Sequence, residues 1–401
     1  MADAVTFAGL RNIDPYPHYE AWREKAPLVW DEEARAWLVT SYDICRHIEI
    51  NEDQFRHPYA EQNPDDIEIK GGEAVSVSIG DRHVVLHRFA LQLFAPREIA
   101  AYRELHIQPV VDDLIGRRLA GGKADLAGDF LDMVPSRVIL SLLNVPWKDD
   151  DTVRRVIQLH DVIFEWASGL NPEVNVPRAK EASKEINDIL LPHILERRHN
   201  PGNDVISRIW SQWPSAELGE PNEGNVLAVA RDFFMGGSDT TVHTLSNAFH
   251  ILLTNPEIME AVRADRSVAL TNLVEEALRL YGALQYRFRI ANQDCELGGV
   301  AVRKDQRLIV INSAANRDPA MFECPHMAKL DRPRPKEHLA FNKGPRSCIG
   351  ASLARAEVID VVDAVLNRLD NLRLDPDAPP PEFPGHFNRS YRPLNVLFDR
   401  K

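Results

Sequence analysis

Cysteine is scarce and scattered in this chain: Cys45, Cys295, Cys324 and Cys348 are the only four in 401 residues, and no two form a Cys-x-x-Cys pair. That spacing excludes the common zinc and iron–sulfur signatures and a disulfide framework, leaving buried reduced thiols as the ordinary expectation. A run of about 18 apolar residues, the length of a spanning helix, occurs nowhere, and Met1 to Leu10 lacks a basic region followed by an apolar stretch. A cytoplasmic, unanchored protein with no membrane partner is therefore expected. Positive charge is also short. Lysines and arginines number 47 against 60 aspartates and glutamates, a formal net charge of −13, which argues against general nucleic-acid binding. No Gly/Ser-rich linker, charge run or internal repeat divides the chain, so residues 1–401 read as one large domain.

What is present is the composition of a chain able to bury a large core, 44% hydrophobic and 27% charged. The first 60 residues mix helical stretches with short strand-like runs such as Trp37-Leu38-Val39-Thr40. From His83 to about Leu170 apolar residues recur mostly at helical spacing. Leu142 to Pro146 and Asn171 to Pro177 read as breaks between helices. Asn225 to about Leu253 is the longest periodic segment, about 43 Å at the helical rise of 1.5 Å per residue. Pro256 starts a short helix and Leu270 to Tyr281 forms another. The pattern then turns to strand at Tyr286–Ile290, Cys295–Leu297, Val300–Val302 and Arg307–Ile311, with Gly298-Gly299 as a turn. Asn316 to Leu339 is irregular and proline-spotted, Ser352 to Leu369 is a final amphipathic helix, and Leu394–Phe398 is strand-like. The fold class expected is mainly α with a minor β region, the β-rich portions lying near 28–60 and 286–312.

One cysteine stands out by its neighbours. Phe341-Asn342-Lys343-Gly344-Pro345-Arg346-Ser347-Cys348-Ile349-Gly350 leads directly into the last helix, which places Cys348 at a helix N-terminus. Unsatisfied N–H groups and the positive end of the macrodipole there stabilise a thiolate, the form of cysteine that binds metal. Gly344 and Gly350 permit close backbone approach to a flat cofactor, and Arg346 offers a fixed charge to a carboxylate. An isolated Cys-x-Gly would read first as a buried cysteine beside a glycine turn; the full ten-residue pattern reverses that order.

These residues resemble the haem loop of the cytochrome P450 family, FxxGx[RH]xCxG, met at Phe341, Gly344, Arg346, Cys348 and Gly350. The common bacterial form has glycine in place of Asn342 and histidine in place of Arg346, departures that alter loop fit and propionate pairing. The resemblance implies haem b (iron protoporphyrin IX) with Cys348 as the axial ligand of its iron, a thiolate that favours O–O cleavage. Three further motifs follow in the family's order. Gly236-Gly237-Ser238-Asp239-Thr240-Thr241 places two glycines in a helix interior at a cost of about 1 kcal/mol each. Alone it reads equally as a ligand groove or as a helix stop with a following cap. It looks like the family's [AG]GxxT groove, which implies a helix opened over the iron at Gly236 and Gly237, Asp239 controlling proton access and Thr240 hydrogen-bonding the oxygen or its water.

Glu276 and Arg279, three apart on a helix face, would alone be a surface pair worth under about 1 kcal/mol. They resemble the family's buried ExxR pair, completed by an arginine for which Arg332 is the best match and Arg334 the alternative. Arg289 occupies the place of a propionate-binding arginine, and the stretch around His83 and His87 resembles the HxxxR helix, with His87 where arginine is usual. A two-histidine metal site is the competing reading there. By the same resemblance the segment His57–Gly80 covers the substrate, Asp232, Met235, Gln285, Arg287 and Phe387 approach it, and Ile163, Phe164 and Trp166 belong to a lid. Asp232 or Gln285 would anchor a polar group of a mainly apolar molecule, unless Asp232 turns toward solvent or a neighbouring helix.

The implied whole is the family's triangular prism around buried haem, acting as a monooxygenase that hydroxylates C–H bonds of small hydrophobic substrates. No flavin- or nicotinamide-binding segment fits beside these motifs, so electrons would come from a ferredoxin or flavodoxin with its reductase, docking on Arg97, Arg103, Lys343, Arg346 and Arg355. A monomer is expected. A peroxide-using haem-thiolate enzyme, a non-catalytic haem sensor or carrier and a haem-free helical scaffold remain as alternatives.

Overall fold

The computed structural model describes residues 5–401, of which the larger part is helical, 57% in all. The expectation for Met1–Leu10 falls partly on residues 1–4, which lie outside the described residues. No helix among the described residues is long and apolar enough to cross a membrane. The chain divides into two compact units.

The first unit comprises the stretch ending at Pro58 together with Ser246–Cys348 and Pro380–Pro393. Its centre is a five-stranded sheet in the order Leu28–Asp31, Ala36–Val39, Arg307–Val310, Arg287–Ala291, Phe55–Arg56. Ala36–Val39 runs parallel to Arg307–Val310 and the other pairs are antiparallel. Successive side chains of a strand point to opposite faces. Accordingly Leu308 and Val310 join Leu28, Val39, Cys45, Ile48 and Phe55 in one cluster, while Ile309 and Ile311 join Tyr16, Tyr19, Leu38 and Tyr286 in another. Burial on both faces explains why the segment reads as a continuous apolar run. Cys295–Leu297 and Val300–Val302 form a separate hairpin across Gly298-Gly299.

The second unit comprises Tyr59–Leu245, Ile349–Pro379 and the stretch from Leu394. Helices dominate it, and its three-stranded sheet joins Lys123–Asp125, Asn395–Arg400 and Leu369–Leu374. The predicted break at Asn171–Pro177 is corrected. The preceding helix ends at Ala167, and Asn171, at φ 46°, is the N-cap of the next, which begins at Pro172 and runs to His199 with Pro177 and Pro192 inside it. Pro172 stands where the N–H has no intrahelical partner anyway. Beyond it, a buried stripe of Ala179, Ala182, Ile186, Leu190 and Ile194 at steps of three and four outweighs the bond lost at each internal proline. The longest described helix, Glu223–Thr254, has 32 residues and contributes to both units.

Candidate functional site

The cysteine loop belongs to the first unit and is shaped by contact with the helix Tyr42–Ile50. Gly344 has φ +73°, and a Cβ there would lie 2.8 Å from Ile50 Cα and 3.1 Å from the Glu49 carbonyl oxygen, so glycine is required. Asn342, the departure from the common glycine, adopts φ 57°. Asparagine tolerates that left-handed conformation better than most residues, and its Nδ2 donates to the Arg346 carbonyl. The loop closes through the Cys348 N–H, which donates to the Phe341 carbonyl at 2.8 Å. Cys348 is an exposed residue with a free thiol. The helix itself starts at Ala351 with Gly350 as N-cap, so Cys348 precedes the N-cap by two residues rather than capping the helix.

Glu49 is buried beneath this loop and accepts from Lys343 N–H at 2.9 Å and Asn312 Nδ2 at 2.6 Å. Burial pushes its carboxyl above the ordinary glutamate range in spite of those bonds. Arg346, expected to meet a propionate, pairs with Glu52 at 2.7 Å. Arg287 and Arg289 are two apart on one strand and so share a face. Each donates Nη1 to the carbonyl of the residue before it, at 2.9 and 2.8 Å, and neither forms an ion pair among the described residues. Burial lowers the pKa of both, that of Arg289 to about 10; Glu49 opposes the shift at both, and Cys348 also opposes it at Arg287. Arg287, expected near the substrate, is thus placed with Arg289 and within the field of Cys348. Two guanidiniums on one face, each with most of its five donors unused, fit the two carboxylates of a flat anionic cofactor.

The Glu276–Arg279 pair is fully buried, not a surface pair. Glu276 accepts from Arg279 Nε (2.7 Å) and Nη2 (2.8 Å), Arg332 Nε (2.8 Å) and Nη2 (3.3 Å), and Lys329 N–H (2.9 Å). Arg332 therefore takes the third place and the exposed Arg334 does not. Gln285 is fully buried, its Nε2 donating to the Gly282 carbonyl while its Oε1 has no partner among the described residues. Phe387 is half-buried with its ring 5.0 Å from that of Tyr286, at the edge of the core.

In the second unit the helix expected to open at Gly236 and Gly237 is continuous. The Thr240 hydroxyl donates to the Gly236 carbonyl at 3.0 Å, an i−4 bond within the helix. The glycines have different reasons. A Cβ on Gly237 would meet Ile139 Cδ1 at 3.0 Å, so that glycine serves packing, whereas a Cβ on Gly236 would meet nothing within 4 Å. Asp239 is nearly buried and lies 3.4 Å from His243 Nε2, one turn on. His160, from the helix Asp150–Ala167, is buried against Phe234, and desolvation holds its pKa down to about 4 although Asp239 opposes the shift. His243 and His160 were not singled out from the sequence; the i+4 spacing of Asp239 and His243 was a signal available there.

Met235 is buried, as are Ile163 and Trp166, while Phe164 is half-buried. Asp232 accepts from the Ser76 N–H and the Ser76 hydroxyl, both at 2.7 Å. Both its oxygens are engaged, so the anchor expected of Asp232 is replaced by a tie to the segment Gly71–Ile79. His83 is buried with Nδ1 3.2 Å from the Val75 carbonyl, and its ring lies 5.3 Å from that of His87. No group of three metal-ligating side chains occurs among the described residues, which leaves the two-histidine metal reading without a third ligand. Of the proposed docking cations, Arg103 pairs with Asp360 and Arg97 with Glu98, Arg355 donates to the Ala351 carbonyl, and Lys343 Nζ donates to the Lys336 carbonyl.

A cysteine presented on a glycine-shaped loop of a mainly helical protein, with arginines suited to two carboxylates, defines the class of haem-thiolate oxygenases. The family model described as Cytochrome P450 matches residues 24–397, and the chain belongs to that family. It is 28% identical to pulcherriminic acid synthase of Bacillus subtilis, over 96% of this chain and 95% of that protein. It is likewise 28% identical to 6-deoxyerythronolide B hydroxylase of Saccharopolyspora erythraea, over 92% and 91%. Among solved structures, CYP108D1 of Novosphingobium aromaticivorans is similar with a TM-score of 0.84 at 25% identity, covering 99% of this chain and 98% of that one. The fold is that of a cytochrome P450, the enzyme is a P450 monooxygenase, and the family implies a haem-iron cofactor.

Proposed function

We propose that the protein hydroxylates a small, mainly hydrophobic organic molecule, inserting one oxygen atom of dioxygen into a C–H bond. Haem b, held through the Cys348 thiolate, would supply the activation of dioxygen. Arg289 and Arg287 hold its carboxylates together with His83 and His87, and Phe341, Gly344, Arg346 and Gly350 shape the loop. Asp239 passes protons inward and Thr240 orients them, with Gly236 giving the room that a side chain would fill. Glu276, Arg279 and Arg332 keep the scaffold rigid. The acid–threonine pair weighs against a peroxide-using enzyme or a passive haem carrier. Electrons come from a ferredoxin or flavodoxin with its reductase, and the protein works in the cytoplasm as a monomer. The continuous family match supports reading residues 1–401 as one functional domain.

The observation that carries this reading is the exposed Cys348, with a free thiol, on a loop closed by its own N–H, in a sequence that matches the family over nearly its full length. A reduced carbon monoxide difference spectrum tests it. The wild-type band should be that of a thiolate-ligated haem, and Cys348→Ser should lose it; an unaltered band in the variant refutes the assignment.

A further inference from the structure

The second unit contains a half-buried cation that has no protein acceptor among the described residues. Residues 61–73 contain five acids and one basic residue, Lys70, in the last turn of the helix Pro64–Lys70. The simple expectation is that Lys70 pairs with one of those acids. Instead Asp65 and Glu68 are both taken by Lys180, at 2.7 and 2.8 Å, and Glu73 pairs with Arg82 at 2.9 Å. Asp232, across on the long helix, has both oxygens on Ser76. Lys70 makes no hydrogen bond or ion pair among the described residues. Its Nζ stands 5.9 Å from the Tyr59 ring centre and 6.0 Å from that of Trp166. The neighbouring side chains of Ala74, Val77, Ala228 and Tyr59 form an apolar cluster. Lys70 is half-buried, and partial desolvation lowers its pKa, opposed by the charges of Asp232 and Asp66 and reinforced by Arg231.

Two aromatic faces stabilise an ammonium only modestly, and they satisfy none of its three N–H donors. The buried Arg231, which acts on Lys70 electrostatically, meets the same need with neutral acceptors: Ser183, Asn187 and the Ile69 carbonyl. Lys70 has no such set.

We propose that Lys70 is the polar anchor of the substrate site and that the substrate is an apolar molecule bearing a carboxylate. The inference rests on the reading in which residues His57–Gly80 cover the substrate, and it replaces Asp232 and Gln285 as the anchor. A carboxylate would accept from donors that no protein group among the described residues takes and would neutralise the half-buried charge, while its hydrocarbon body matches the rings beside it.

The test titrates haem-loaded protein with dodecanoate, methyl dodecanoate and dodecylamine, following haem absorbance and, independently, calorimetric heat, in the wild type and in Lys70→Met and Lys70→Arg. The wild type should bind the acid about tenfold or more tighter than the ester. Lys70→Met should bind acid and ester alike, and Lys70→Arg should restore the preference. Equal binding by the wild type, a preference that survives Lys70→Met, tightest binding of the amine, or no calorimetric binding of any probe overturns the assignment. The carbon monoxide band is read separately: its absence refutes the Cys348 reading, and its presence beside equal binding of acid and ester refutes the lysine alone.

Discussion

Replacing Glu276 by glutamine removes one negative charge from a site where two guanidiniums converge and water has no access. The substitution keeps volume and shape, so no cavity term enters. Five donors point at the carboxylate: four N–H groups of Arg279 and Arg332 and the Lys329 amide. An amide accepts at only one end, and its NH2 would face donors at the other. Two arginines would then stay buried without a counter-charge, while their remaining bonds to the Asn316, Pro325, Met327 and Glu323 carbonyls keep them in place. Breaking a buried pair from one side costs about 3–5 kcal/mol. At about 2–4 °C per kcal/mol this lowers the melting temperature by roughly 6–20 °C.

The pH dependence of the same site has a definite sign. Burial raises the Glu276 pKa, but the bonds and charge of Arg279, with those of Arg332, outweigh it and hold the group below its ordinary 4.5. A depressed acid stabilises the fold above its unfolded pKa and loses that contribution as pH falls through the folded value. The wild type should therefore weaken below 4.5, and Glu276→Gln should lack that component. Thermal unfolding by circular dichroism, run alongside haem content, checks both. A variant that melts within about 2 °C of wild type would refute the reasoning, since that is under 1 kcal/mol.

Further outcomes follow from other sites. His160 is held neutral with its pKa near 4 against 6.5 when free, so the unfolded state takes up the proton first and stability falls as pH drops below 6.5. Between about pH 6.5 and pH 5 the loss is about 2 kcal/mol, and His160→Phe should abolish it in urea denaturation at the two pH values. Gly71→Ala places a Cβ 2.6 Å from Arg231 Cδ at φ +82°; a destabilisation of about 2 kcal/mol or more is expected, and an unchanged urea midpoint would contradict it. Asp232→Asn weakens the tie to Ser76, so amide exchange at residues 71–79 should quicken while the affinity for uncharged ligands stays the same. Asp239→Asn should raise the peroxide released per oxygen consumed, measured with an oxygen electrode and a peroxide assay.

The parts of the site that are contiguous in the chain were legible in the sequence. The cysteine loop and Glu276–Arg279 each lie within ten residues, and the strands at Cys295–Leu297 and Val300–Val302 fall where alternation and the Gly298-Gly299 turn put them. The glycine pair expected to open a helix lies instead inside a continuous one. What was not legible depends on partners from distant segments. Pro177 reads as a helix break until the stripe on the helix Pro172–His199 is seen packed. That Arg287 shares a face with Arg289 shows only once the strand Arg287–Ala291 is formed. The acids at Asp65 and Glu68 sit closer in sequence to Lys70 than to Lys180, yet it is Lys180 that takes them. Spacing along one helix cannot decide between a local cation and one delivered by another helix.

Counting used donors separates arginines that hold the fold from those poised for a ligand. Each guanidinium has five N–H groups. Arg231 directs its nitrogens to Ser183, Asn187 and the Ile69 carbonyl, and Arg389 directs its own to the Ile13, Phe383 and Leu10 carbonyls. Arg289 is also buried but has one bond among the described residues, to the Phe288 carbonyl. Substituting methionine at the two kinds of site should therefore have opposite consequences. Arg231→Met leaves the buried Ile69 carbonyl and the Ser183 and Asn187 oxygens without their donor, and at about 1–3 kcal/mol for each unsatisfied group it should lower the urea midpoint clearly. Arg289→Met loses a single bond and removes a desolvated charge, so stability should change by less than about 1 kcal/mol. Its effect should appear instead in the transfer of haem to apomyoglobin, faster by about tenfold or more if a charge-assisted carboxylate contact is lost. If Arg289→Met unfolds the protein while Arg231→Met releases haem, donor counting is the wrong criterion and the cofactor's carboxylates lie elsewhere.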